Sequence, residues 1–89
     1  MARVVFTSNL QRHLRCPETT VAAGTLHAVL VQVFDAQPQA RGYVLDEQGH
    51  LRKHVTVFID GRRVGDREKL DEPVGESSEV YVMQALTGG

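Results

Sequence analysis

The residues of this 89-residue sequence whose types could do chemistry are four histidines, one cysteine, two carboxylate pairs and a terminal pair of glycines. His50 and His54 stand four apart, which on a helix would put two metal ligands on one face. The segment around them reads as a strand, where residues four apart lie about 13 Å from each other along the axis. A metal site there would need ligands from elsewhere, so both read as solvent-facing, as do His13 and His27. Cys16 follows Arg15, whose charge favours a thiolate. No histidine completes a recognisable dyad with it, and it reads as an incidental thiol. Asp46-Glu47 and Asp71-Glu72 read as solvated loop carboxylates. A single cysteine excludes an internal disulfide, a multi-cysteine metal cluster and the four-thiolate set of a ferredoxin. GxxxxGK[ST], GxGxxG and GxSxG are all absent.

What survives is Gly88-Gly89. Glycine is about 7% of average usage, so a terminal pair arises by chance in roughly one chain in 200. The ordinary reading is a frayed end. Yet only Leu86 and Thr87 separate the pair from a strand signal. A segment without Cβ atoms can enter a narrow channel in another protein and adopt torsions closed to other residues. The chemistry available there is that of the terminal carboxylate.

The elements that must position this tail follow from periodicity. Arg3 to Thr7 is β-branched and aromatic and predicts a strand, with Glu18 to Ala22 pairing antiparallel to it. The connection from Leu10 to Cys16 is polar, and Pro17 holds Cys16 extended. Thr25 is a candidate N-cap for a helix whose apolar face is Leu26, Val29, Leu30, Val33 and Phe34. Pro38 ends that helix by Gln37. A brief strand is expected at 42–45, a turn at 46–49, and the longest strand over 51–60. Val55, Val57 and Ile59 share one side of it, with His54, Thr56 and Phe58 on the other. Asp60-Gly61 is a hairpin turn signal, with a return through Val64. Glu68 to Leu70 reads as a turn and 73–78 as a polar loop. The last strand runs from Glu79 to Ala85.

Composition sets bounds. The length suits one domain, expected as residues 1–86 with a flexible tail at 87–89. A net charge of -1, with scattered arginines, gives no field for nucleic acid or an anionic membrane. No apolar run approaches a membrane span or a signal peptide, and the lack of disulfides fits the cytoplasm. Two strands, a helix and further strands are most economically buried as an α+β fold, a mixed sheet of four to five strands with one helix on one face. That is a β-grasp.

Taken together, Val4-Val5-Phe6, the helix opened by Thr25-Leu26, Val55 to Gly61, Gly75 to Val80 and Gly88-Gly89 resemble the ThiS/MoaD family of ubiquitin-like sulfur carriers. The resemblance covers nearly the whole chain. Glu76-Ser77-Ser78 departs from the acidic Gly-Asp-type turn usual in the family, and the long segment 45–54 is similar to that of the carrier CysO. The resemblance implies that the Gly89 carboxylate, presented by Gly88, attacks the α-phosphate of ATP inside an E1-like adenylating enzyme. The acyl-adenylate then becomes a thiocarboxylate, delivered to a downstream sulfur-acceptor synthase. The chain itself would be no enzyme, would bind no cofactor or metal, and would be monomeric when free, the ATP belonging to its partner. Docking is expected on the sheet face away from the helix, through Phe58, Tyr81 and Met83, with Leu86 guiding the tail. Two alternatives stay open: a modifier joined through Gly89 to lysines, and a plain β-grasp interaction domain with an incidental tail.

Overall fold

The computed structural model describes residues 1–7 and 18–84. Alternation in Ala2–Phe6 makes β1, with Ala2, Val4 and Phe6 buried and Arg3 and Val5 half-buried. β2 (Thr19–Val21) pairs antiparallel with it as expected. β3 is the two-residue Gly24–Thr25.

The helix α1, Leu26–Ala36, buries Leu26, Val29, Leu30, Val33 and Phe34, the apolar face read from the sequence. Thr25 Oγ accepts the Ala28 N–H at 3.1 Å, and two more N–H groups of the first turn donate to the carbonyls of Glu72 and Leu70. All three are groups that a helix leaves unsatisfied at its start. Gln32 reaches sideways, its side chain bonded to both the N–H and the carbonyl of Ala22. The helix is thereby fastened to the end of β2.

Pro38 stops α1, but it also begins a second helix, α2, over Pro38–Val44. The brief strand expected at 42–45 is therefore wrong. Proline at the first helical position loses no hydrogen bond and brings its φ already set, so the same residue closes one helix and opens the next. Only Leu45 pairs, in an isolated bridge with Leu51.

The long strand is shorter than expected, β4 being Val55–Ile59. Residues 46–54 form a turn-rich excursion pinned by arginines. The Arg52 Nε donates to the Gly42 carbonyl at 2.6 Å, and the Arg67 guanidinium to the carbonyls of Arg52 and Val55. His50 and His54 consequently lie in this excursion and not on a strand.

Asp60-Gly61 is the hairpin turn the sequence announced. Both residues have positive φ, 52° and 83°, the torsions of a two-residue turn that matches strand twist. It leads to β5 (Arg62–Arg63). The expected polar loop at 73–78 contains β6 (Pro73–Val74), paired with β3. β7 spans Glu79–Gln84.

The main sheet has the order β2-β1-β7-β4-β5, with β1 and β7 parallel and the other pairs antiparallel. β7 therefore sits at the centre. Its buried residues Val80 and Val82 face α1 together with Val4, Val55, Val57 and Ile59. Leu70, assigned to a turn from sequence, is wholly buried in the same core at a φ of 55°.

Candidate functional site

The central strand β7 runs to Gln84. Gln84, the last described residue, pairs with Val55, and Thr7 donates to the Val82 carbonyl at 3.0 Å. This strand is thus held from both sides as far as Gln84. Ala85, Leu86, Thr87, Gly88 and Gly89 lie outside the described residues, as do His13, Cys16 and Pro17.

On the face away from α1, cross-strand registers set out one continuous row. Val5 is opposite Tyr81, Tyr81 opposite Phe58, and Phe58 opposite Arg63. Directly opposed residues project on the same side of a sheet, so these four share the open face. Met83 and Thr56 form the next row, about 7 Å nearer the Gln84 end of β7. The structure brings Phe58, Tyr81 and Met83 together on the face expected from alternation. It places each as half-buried, so they are less exposed than the sequence suggested. The reason is lateral: each of these strands has neighbours whose side chains stand beside them.

One end of the face is charged and internally paired. Arg3 bonds to Glu79, its partner across the strands, and lies 3.6 Å from Glu18. The carboxylates of Glu18 and then Glu79 hold the guanidinium above its ordinary pKa, the Tyr81 hydroxyl adding to the effect. This network escaped the sequence reading because it joins residues 76 positions apart.

Two carboxylates read as solvated, those of Asp46 and Glu72, prove structural, and so does that of Asp60 in the hairpin turn. Asp46 accepts the N–H groups of His50 and Gln48, which lower its pKa. Glu72 accepts the Gly65 N–H and lies 3.7 Å from Arg62, its side chain only 21% exposed. Asp60 accepts the Glu79 N–H at 2.9 Å and the Ser78 hydroxyl at 2.8 Å, and both hold its pKa below the usual carboxylate value. Ser78 in turn accepts the Gly75 N–H. The Glu76-Ser77-Ser78 departure thus builds a working turn, with the serine oxygen doing the bonding. Asx and serine turns of this kind are hard to foresee because the bonded groups are local but their other partners are distant.

Among the described residues no three His, Cys, Asp or Glu side chains cluster so as to hold a metal ion. Two surface depressions among the described residues, lined by Asp46, Glu47, Gln48 and Arg52 and by Val31, Phe34, Asp35, Pro38 and Arg41, pair no nucleophile with a base. No described helix is long and apolar enough to cross a membrane.

Known structures share this topology over their full length. A chain of the Amycolatopsis orientalis BexX/CysO complex superposes with a TM-score of 0.81, covering 100% of both chains at 16% identity. The fold is a β-grasp. SAMP1 of Haloferax volcanii matches with a TM-score of 0.77 at 19% identity, over 99% of this chain and 98% of its own. Small archaeal modifier protein 1 of Methanosarcina acetivorans follows with 0.74 at 24% identity, over 99% and 95%. No protein-family model and no curated protein matches the sequence. The likeness is therefore one of fold: this β-grasp domain has the architecture of the CysO and SAMP1 structures.

Proposed function

We propose that this chain is a sulfur carrier whose working group is the Gly89 carboxylate. The observation that carries the proposal is positional. The sequence ends in Gly88-Gly89 five residues beyond Gln84, the last described residue of the central strand, in a fold shared with CysO and SAMP1. A strand anchored on both sides gives a partner a fixed platform from which a short tail can be read.

A carboxylate is a poor acyl donor because its leaving group would be oxide. In the proposed cycle a Gly89 oxygen bonds to the α-phosphorus of ATP inside a separate activating enzyme, and pyrophosphate leaves. Hydrosulfide then attacks the acyl carbon, AMP departs with the original oxygen, and a proton is released. The net change is one oxygen exchanged for sulfur, and the resulting thiocarboxylate is an ionised, soft nucleophile for a downstream synthase. All acid, base and metal chemistry belongs to the partners. Phe58, Tyr81 and Met83 on the open face would bind the activating enzyme, with Leu86 guiding the tail.

The likeness to small archaeal modifier protein 1 favours a second reading, attachment through Gly89 to lysines of other proteins. Both fates share the adenylate. Intact-protein mass spectrometry after incubation with an activating enzyme, ATP and a sulfur donor separates them. A mass gain equal to sulfur for oxygen, lost on deletion of Gly88-Gly89, is the expected result. Lysine-linked adducts in cell extract without a free thiocarboxylate would favour the modifier.

A further inference from the structure

Arg62 and Arg63 are neighbours in sequence with opposite fates. Arg62 stands opposite the buried Ile59 and lies beside Glu72 on the helix side of the sheet. Arg63 stands opposite Phe58 on the open face, is exposed, and has no hydrogen-bond or ion-pair partner among the described residues. At the other end of that face one cation, Arg3, is set against two carboxylates, Glu18 and Glu79. Among the described residues the face is therefore polarised, with an unpaired positive group at the β5 edge, an apolar row through the centre and a cluster of one cation and two carboxylates at β1 and the start of β7.

Burial of an apolar row is non-directional and leaves rotation about the contact poorly fixed. A carrier cannot tolerate that freedom, because docking turned through 180° would direct the end of β7 away from the partner's active site. Fixed charges at the edge of a contact set its orientation and reject wrong partners. Building on the docking reading above, we propose that Arg63 is a specificity-determining residue of the open face. Its partner is a carboxylate that the activating enzyme presents beside an apolar patch receiving Phe58 and Tyr81.

The test uses the adenylating enzyme that charges the wild-type chain, with pyrophosphate release measured against carrier concentration. Arg63→Gln should raise KM about tenfold with kcat unchanged, and Arg63→Glu more, since an unpaired or like-charged group at such a contact weakens it. Arg63→Lys should restore most of the affinity. Arg62→Gln removes the same charge one residue away on the other side and should stay within about twofold of wild type. The difference between the two glutamine variants should shrink between low and high salt, as screening of an exposed pair requires. Equal effects at Arg62 and Arg63, or a fall in kcat alone, would overturn the proposal.

Tyr81→Asp, checked for folding by its thermal transition, separates the levels of failure. If it prevents charging while Arg63 variants behave as wild type, the face docks but is not oriented by Arg63. If both behave as wild type, the docking reading itself falls, and the role of Arg63 with it.

Discussion

The two faces of the main sheet are made by alternate residues of the same strands, yet they are solved in different ways. On the closed face Val4, Val57, Val80 and Val82 are at most 1% exposed and meet an apolar helix. On the open face Val5, Phe58, Tyr81 and Met83 are half-buried, and they stand among arginines, glutamates and threonines. The closed face needs only complementary volume. The open face keeps its apolar groups within reach of water, with charge around them, at no evident benefit to the isolated domain. The difference teaches that the core needs only one side of these strands, which leaves the other free for the docking role proposed above.

The sharpest way to break this comparison is to remove volume from the closed side. Leu30 is 1% exposed on α1 and packs within the core. Leu30→Ala should cost about 2–5 kcal/mol, the range for a buried leucine whose site cannot fully collapse. Urea denaturation at constant m-value would read it. A loss below about 1 kcal/mol would mean that the core is far looser than its burial implies.

A smaller loss is expected where the helix begins. Thr25→Ala removes the hydroxyl that accepts the Ala28 N–H and should cost about 1 kcal/mol. Thr25→Ser keeps the acceptor and should recover most of it. Parity between the alanine and serine variants would show that the carbonyls of Glu72 and Leu70 suffice to close the helix start.

The turns contribute a pH dependence. Asp46, Asp60 and Asp66 all have pKa values lowered by the N–H or hydroxyl groups they accept. A carboxyl held lower in the folded than in the unfolded chain stabilises fully above its unfolded value. That contribution is lost as pH falls through the folded value. Stability should therefore drop on acidification below roughly pH 4. Asp60→Asn, which cannot titrate, should flatten part of that acid limb in urea melts repeated from roughly pH 5 to pH 2. An unchanged slope would show that the bonds from Glu79 and Ser78 do not distinguish the ionised form.

Period and punctuation made the sheet and α1 legible. Alternation in 55–59 and 79–84 and the 3.6 spacing from Leu26 to Phe34 give the right strands, the right helix and the right buried faces. The features that stayed hidden are those with no period. A two-residue ladder between Gly24–Thr25 and Pro73–Val74 leaves no pattern, because two residues are too few to show a period. The helix after Pro38 was masked because proline both ends and begins helices. Leu70 looked like turn material, since one leucine in a polar stretch does not announce that its loop folds back over the core. Phe58, Tyr81 and Met83 were placed on a common face by alternation alone. Their company was not legible, because the Arg3 network and the isolation of Arg63 depend on which strands lie side by side.

The smallest effect on stability, and the one that most sharpens the comparison, belongs to Met83. It is half-buried on the open face, opposite Thr56, in the row nearest the Gln84 end of β7. Met83→Asp should change unfolding free energy by no more than about 0.5 kcal/mol, as is usual for a surface position with no cap, cavity or buried partner at stake. The same substitution should sharply weaken charging by an activating enzyme, because an ionised carboxylate would then be desolvated against an apolar partner surface. Stability and function would thus part at one residue, whereas at Leu30 they fall together. A stability loss comparable to that of Leu30→Ala would make Met83 part of the core, and the division of labour between the two faces would fail at that position. Unchanged stability with unchanged charging would move the docking contact along the face, towards Phe58 and Arg63.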